Sequence, residues 1–186
     1  MDAWVWVLVV VAIIAIAAIV WLALMKRRTT TLRDQFGSEY DRTLQQTESR
    51  REAEADLIAR REHREQLDIR PLSPAAQERY SSQWQQVQSR FVDQPAESLG
   101  QANQLVLMVM TERGYPMDDF EQRAADISVD HPDVVEHYRA GQAVTRSAAS
   151  DDATTEDLRQ GLVHYRALFE QLLVADGATE DRREVG

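Results

Sequence analysis

Cysteine is absent from the 186 residues, which removes disulfides, thiolate metal sites and thiol nucleophiles together. Lysine occurs once, as Lys26, so nothing beyond it offers a Schiff-base or phosphate-loop lysine. The seven glycines are scattered singly, leaving no glycine-rich turn to cradle a phosphate. Alternation at period two, the mark of a half-buried strand, is missing throughout. Of the four histidines, His63, His131, His137 and His164, none stands in an H-E-x-x-H arrangement. Base is also scarce: 31 acidic residues face 21 basic ones, for a formal net charge of −10. Three of those bases cluster at Lys26, Arg27 and Arg28, so the region after them is more acidic still. Such a surface repels nucleic acid, and the arginine pairs at 50–51 and 60–61 sit among glutamates that neutralise them.

Against these absences stands one long apolar run. From Ala3 to Met25 no residue is charged, and none is Ser, Thr, Asn or Gln. As a helix these residues rise to roughly 35 Å, and a bilayer's hydrocarbon core is about 30 Å thick. Trp4 and Trp6 lie near one end and Trp21 near the other, where indoles favour the headgroup zone. A cleaved signal peptide would need base before a shorter apolar stretch; here Asp2 precedes it and the bases follow. The run predicts a transmembrane helix whose lipid bilayer contacts end at Lys26, Arg27 and Arg28. Bases stay on the cytoplasmic side, so the N-terminus is expected outside and residues 29–186 inside.

Four segments follow from this reading. Residues 1–28 form the anchor with its basic stop. Residues 29–70 read as a charged helical stalk, with Gly37-Ser38 as punctuation and Ser38 as N-cap. Its seam is a weak coiled-coil signal: Tyr40, Leu44, Leu57 and Ile58 are apolar, but Thr47, Arg51 and Glu54 interrupt them. A mostly solvated stalk is expected, with Tyr40, Leu44 and Ile58 as the residues that weak self-association would use. Pro71 and Pro74 then end it.

Residues 71–174 predict an all-α bundle of about five helices. Ser73 caps the first, with Pro74 at its first position, and Tyr80, Trp84, Val87 and Phe91 form one face by spacings of 4, 3 and 4. Gln94-Pro95 opens the second, with Leu99, Ala102, Val106, Val109 and Met110 inward. Gly114 ends it with Pro116 beyond. Asp118 caps a third carrying Phe120, Ala124 and Ile127. Asp130-His131-Pro132 breaks the chain before a fourth with Val134, Val135 and Tyr138. Residues 147–153 read as a loop. Thr155 caps the fifth, with Leu158, Leu162, Tyr165, Phe169 and Leu172 inward. Residues 175–186 are polar and acidic, as in a disordered tail.

Chemistry-bearing constellations are few. Asp130, His131, Asp133 and His137 are the metal candidate, because Asp133 and His137 are i,i+4 neighbours on one helix. Helix capping and dipole effects account for the same residues more simply. Asp118, Asp119 and Glu121 read as first-turn acids. Arg113-Gly114-Tyr115-Pro116 is the most distinctive loop. Arg113, Tyr115 and Pro116 there offer an interaction surface if the tyrosine stays exposed, since Arg and Tyr dominate binding hot spots.

Several runs together carry a resemblance: Phe36 to Arg42, Leu67 to Pro74, Arg90 to Asp93, Arg113 to Phe120, Ala124 to Val134 and Thr155 to Phe169. In these the chain resembles an uncharacterised bacterial family of N-terminally membrane-anchored helical proteins. The resemblance covers most of residues 32–173 and implies that architecture, with no activity, ligand or catalytic residue attached.

The sequence therefore predicts no enzyme and no cofactor. It points to a helical scaffold held at the inner membrane face, with another protein as partner. A tethered metal-binding or enzymatic domain, or an exported envelope protein, are the alternatives.

Overall fold

The computed structural model describes residues 3–174, excluding the side chains of residues 3, 5–10, 18, 24 and 25 in the first helix. Trp6 and the expected acidic tail at 175–186 thus lie outside the described side chains. Every regular element described is a helix. These are α1 (Ala3–Phe36), α2 (Ser38–Gln46), α3 (Arg50–Glu65), α4 (Pro74–Arg90), α5 (Pro95–Arg113), α6 (Phe120–Asp130), α7 (Val135–Ala149) and α8 (Thr155–Val174). Among the described residues no helix is long and apolar enough to cross a membrane. The complete run from Ala3 to Met25 includes side chains outside that set.

The chain divides into two compact units, up to Ile58 and from Ala59 onward, with the division inside α3. In the first unit the stalk is not one solvated helix. Gly37 breaks α1 from α2 with φ 49° and ψ −124°, a conformation suited to glycine. It, and not Ser38, holds the cap position, and no side chain caps α2. Thr47 turns extended at φ −110°, ψ 157°, and ends α2.

Behind these breaks Leu32, Phe36, Tyr40, Ala53 and Leu57 are buried, along with Glu39 and Thr43. A polar knot ties the helices together. Glu54 Oε1 accepts from Thr29 Oγ1 at 2.7 Å, Tyr40 Oη at 3.1 Å and Arg50 Nε at 3.1 Å. Arg33 pairs with Asp41 at 2.7 Å and stands over the Tyr40 ring. Burial raises the Glu54 pKa, but the three hydrogen bonds and the Arg50 charge together outweigh it and hold it below the ordinary value. Tyr40, one of the three residues of the self-association seam read from the sequence, has its side chain fully buried here, while Leu44 and Ile58 keep partial exposure.

The second unit packs α8 against α5 and α7, with α4 on α5 and α6 beside α7. Ser73 caps α4 as the sequence predicts, accepting from Ala76 N at 3.2 Å ahead of Pro74. The 4, 3 spacing then delivers Tyr80, Trp84 and Val87 to the core, with Phe91 partly buried beside it.

Gly114 closes α5 in the left-handed region at φ 94°. A Cβ there would lie 2.4 Å from Asp68 O, and Arg70 N donates to Arg113 O at 2.9 Å. The extended segment after α3 is thus laid against the end of α5.

Two further caps differ by one residue from the expected ones. Asp119, not Asp118, caps α6 by accepting from Gln122 N at 2.9 Å. Thr154, not Thr155, caps α8: its Oγ1 accepts from Asp157 N at 3.2 Å and its N–H donates to Asp157 Oδ2 at 2.9 Å, a capping box with Asp in the acidic place. The fourth expected helix is α7, which opens at Val135 and runs on to Ala149, so part of the expected 147–153 loop is helical.

Candidate functional site

An ionic and aromatic grouping of the second unit lies where the end of α3, the α5–α6 loop and α6 meet. Arg113 is the last residue of α5, and its position on the buried face carries the guanidinium into the interior. There Nη1 donates to Leu172 O at 2.9 Å, satisfying a carbonyl near the end of α8. The left-handed turn at Gly114 then folds Tyr115 back so that only 3% of it is exposed. Its hydroxyl donates to Asp130 Oδ2 at 3.0 Å, and the Arg113 guanidinium stands 5.9 Å from its ring centre. Burial, then the Asp130 charge, push the Tyr115 hydroxyl well above its ordinary pKa, so it is a fixed donor at every physiological pH.

Asp130 also accepts from Arg64 Nε, which links α3 to the end of α6. One turn earlier, Asp126 is buried with its side chain 1% exposed. Oδ1 accepts from Gln122 Nε2 at 2.9 Å and lies 3.6 Å from His63 Nε2. Oδ2 has no hydrogen-bond partner among the described residues. Burial is the main reason the Asp126 pKa is raised, and the Asp118 charge adds to it; the Gln122 bond and the His63 and Arg64 charges oppose. The two acids thus act as struts between helices, one exposed and doubly paired, one buried and incompletely paired.

A second grouping bridges α7 and α8. His137 and His164 approach with Nδ1 to Nδ1 at 2.8 Å and ring centroids 5.1 Å apart. Burial, then His137, lowers the His164 pKa, which favours a neutral ring. Beside this pair the Tyr165 hydroxyl bonds Thr145 Oγ1 at 2.9 Å and donates to Gln142 Oε1 at 3.2 Å.

Two candidate groupings named from the sequence are placed as follows. The interaction surface of Arg113, Tyr115 and Pro116 is not a surface: Arg113 and Tyr115 are buried and Pro116 is half-buried, because the loop packs back after its glycine turn. The metal candidate of Asp130, His131, Asp133 and His137 is not assembled. Asp130 serves Tyr115 and Arg64, and His131 takes the C-cap of α6. Asp133 is exposed, and His137 turns to His164. Among the described residues no group of three or more His, Cys, Asp or Glu could hold a metal ion.

His63, Arg64, Asp126 and His164 were not singled out by their spacing. Their partners lie 27 to 66 residues away, a separation at which sequence carries no signal of contact. Set beside family models, curated proteins and solved structures, the chain matches none of them.

Proposed function

We propose that the chain is a single-pass membrane protein that presents its helical second unit at the cytoplasmic face as an interaction scaffold. One observation carries the anchor. Between Val11 and Leu22 the described large apolar side chains of α1 are all half or more exposed, from 51% at Val20 to 66% at Ile19. At about 100° per residue they point to every side of the helix. An apolar helix open on all sides requires an apolar surrounding, and the uncharged length from Ala3 to Met25 suits a bilayer. Lys26, Arg27 and Arg28 are exposed directly after it, and their charge favours the cytoplasmic side.

The scaffold reading rests on what the polar side chains do. Arg113, Tyr115, Asp130, Arg64 and His63 are engaged in holding helices to one another, as is the Glu54 knot in the first unit. The family resemblance described above suggests the same architecture.

The test is topology. C-terminal fusions to a reporter active only in the cytoplasm and to one active only outside it are compared, with the mass of the membrane-extracted chain. Cytoplasmic activity and retention of residues 1–25 are expected. Activity outside, or a shortened chain, overturns the reading in favour of an exported envelope protein.

A further inference from the structure

The α7–α8 interface holds two imidazoles nitrogen to nitrogen. Facing Nδ1 atoms 2.8 Å apart need one ring to donate and the other to accept, so the two rings take opposite tautomers, with either one the donor. Both rings are half-buried and reachable from solvent.

Their backbones are held closely. A Cβ on Gly141, one turn after His137, would lie 3.1 Å from the Tyr165 ring. One on Gly161, one turn before His164, would lie 3.0 Å from Val144 Cγ1. With α7 and α8 so near, the histidines have little freedom to part.

We propose that His137 and His164 form a two-imidazole site for a divalent transition cation, with Cu²⁺ the best fit and Ni²⁺ next. Imidazole nitrogen suits these ions, and affinity rises along the series to copper. The geometry narrows the choice. With metal–nitrogen bonds of about 2.0–2.1 Å, nitrogens 2.8 Å apart subtend roughly 85–90° at the metal. That is the angle between neighbouring ligands of a tetragonal ion. The rings must turn to aim both Nδ1 lone pairs at either ion, and a tetrahedral zinc ion would in addition need the nitrogens about 3.3 Å apart.

Binding uses the lone pairs of both Nδ1 atoms. The ring that donated through Nδ1 moves its proton to Nε2 by exchange with water, so a neutral pair releases none. Since no third protein ligand joins the two among the described residues, water completes the coordination. The ion would staple α7 to α8. This set shares only His137 with the cluster suggested by the sequence, and it does not depend on the membrane reading.

The experiment uses the full chain in detergent without a histidine tag, titrated with CuCl₂ and followed by electron paramagnetic resonance. One equivalent of Cu²⁺ with superhyperfine coupling from two nitrogens is expected, with a higher melting temperature. His164→Ala and His137→Ala should each lose that equivalent, and His63→Ala should keep it. Substoichiometric Cu²⁺ added to the unaltered protein should broaden the ring proton resonances of His137 and His164 before those of His63 and His131, a readout that needs no variant to fold. Absence of a bound equivalent, a signal unchanged by both substitutions, or broadening that is equal across all four histidines would overturn the proposal.

Discussion

Trp84 of α4 stacks on Phe169 of α8, with ring centroids 4.6 Å apart and planes 19° from parallel. The pair joins α4 to α8 through residues that are 5% and 2% exposed. Stacked aromatics contribute about 0.5–1.5 kcal/mol beyond the area they bury. Trp84→Ala removes both terms and leaves a cavity, at an expected cost of about 3–5 kcal/mol. Thermal and urea unfolding of the full chain in detergent checks this, and a variant melting with the parent would refute the core assignment of α4.

Two glycines at positive φ separate conformational strain from steric exclusion. At Gly37 an added Cβ meets nothing within 4 Å, so Gly37→Ala should cost only the backbone strain, about 1–3 kcal/mol. At Gly114 the same atom would strike Asp68 O at 2.4 Å, a backbone atom that cannot swing aside. Gly114→Ala should therefore exceed Gly37→Ala and loosen the segment around Asp68 and Arg70. Amide exchange of Arg70, whose N–H donates to Arg113 O, reports that loosening. Equal costs for the two variants would show that strain alone governs Gly114.

The buried Asp126 makes a pH prediction with a definite sign. Its folded pKa is raised above the ordinary carboxylate value, so the fold prefers its protonated form. Its contribution is most favourable below the unfolded pKa and declines as pH rises through the folded one. Asp126→Asn keeps the oxygen that accepts from Gln122 and removes the charge. The variant should be at least as stable as the parent at pH 7, and their difference should shrink toward acid. Urea unfolding of both proteins across pH 4–8 measures that difference. A variant clearly weaker at pH 7 would mean that attraction to His63 outweighs desolvation.

Glu54 has the opposite sign. Its folded pKa is lowered, so its contribution is present above the ordinary carboxylate range and lost as pH falls through the folded value. Glu54→Gln removes the charge that strengthens three hydrogen bonds, at an expected cost of about 1–3 kcal/mol to the first unit. Limited proteolysis near Thr47–Ser49, between α2 and α3, should then be faster at neutral pH than in the parent. Acid should speed cleavage of the parent more than that of Glu54→Gln. Equal cleavage at neutral pH would show that Glu54 does not hold α2 and α3 in place.

Much of the second unit is legible in local patterns. Ser73-Pro74, Pro95 and Gly114 punctuate helices through backbone preferences that act within a few residues, whatever surrounds them. Tyr80, Trp84 and Val87 declare a buried face because helical period alone aligns them. The caps expected at Asp118 and Thr155 but held by Asp119 and Thr154 show the limit of that approach. Neighbouring acids and hydroxyls can each satisfy the same N–H, and side-chain geometry selects among them.

What sequence by itself determined was therefore the all-α class, the uncharged length of the first helix, its basic boundary and the core faces of α4, α5 and α8. Tertiary structure alone decided the rest. Tyr40 and Leu57 look like isolated apolar residues in a charged stalk, yet the breaks at Gly37 and Thr47 bury them in the first unit. Arg113 and Tyr115 look like a recognition loop until Leu172 O and Asp130 supply partners that make burial tolerable. His137 meets His164 only because Gly141 and Gly161 let α7 and α8 close upon each other. The physical reason is common to all three. Periodicity and capping depend on residues within a turn or two, whereas burial of a polar group depends on partners that chain folding brings from far away.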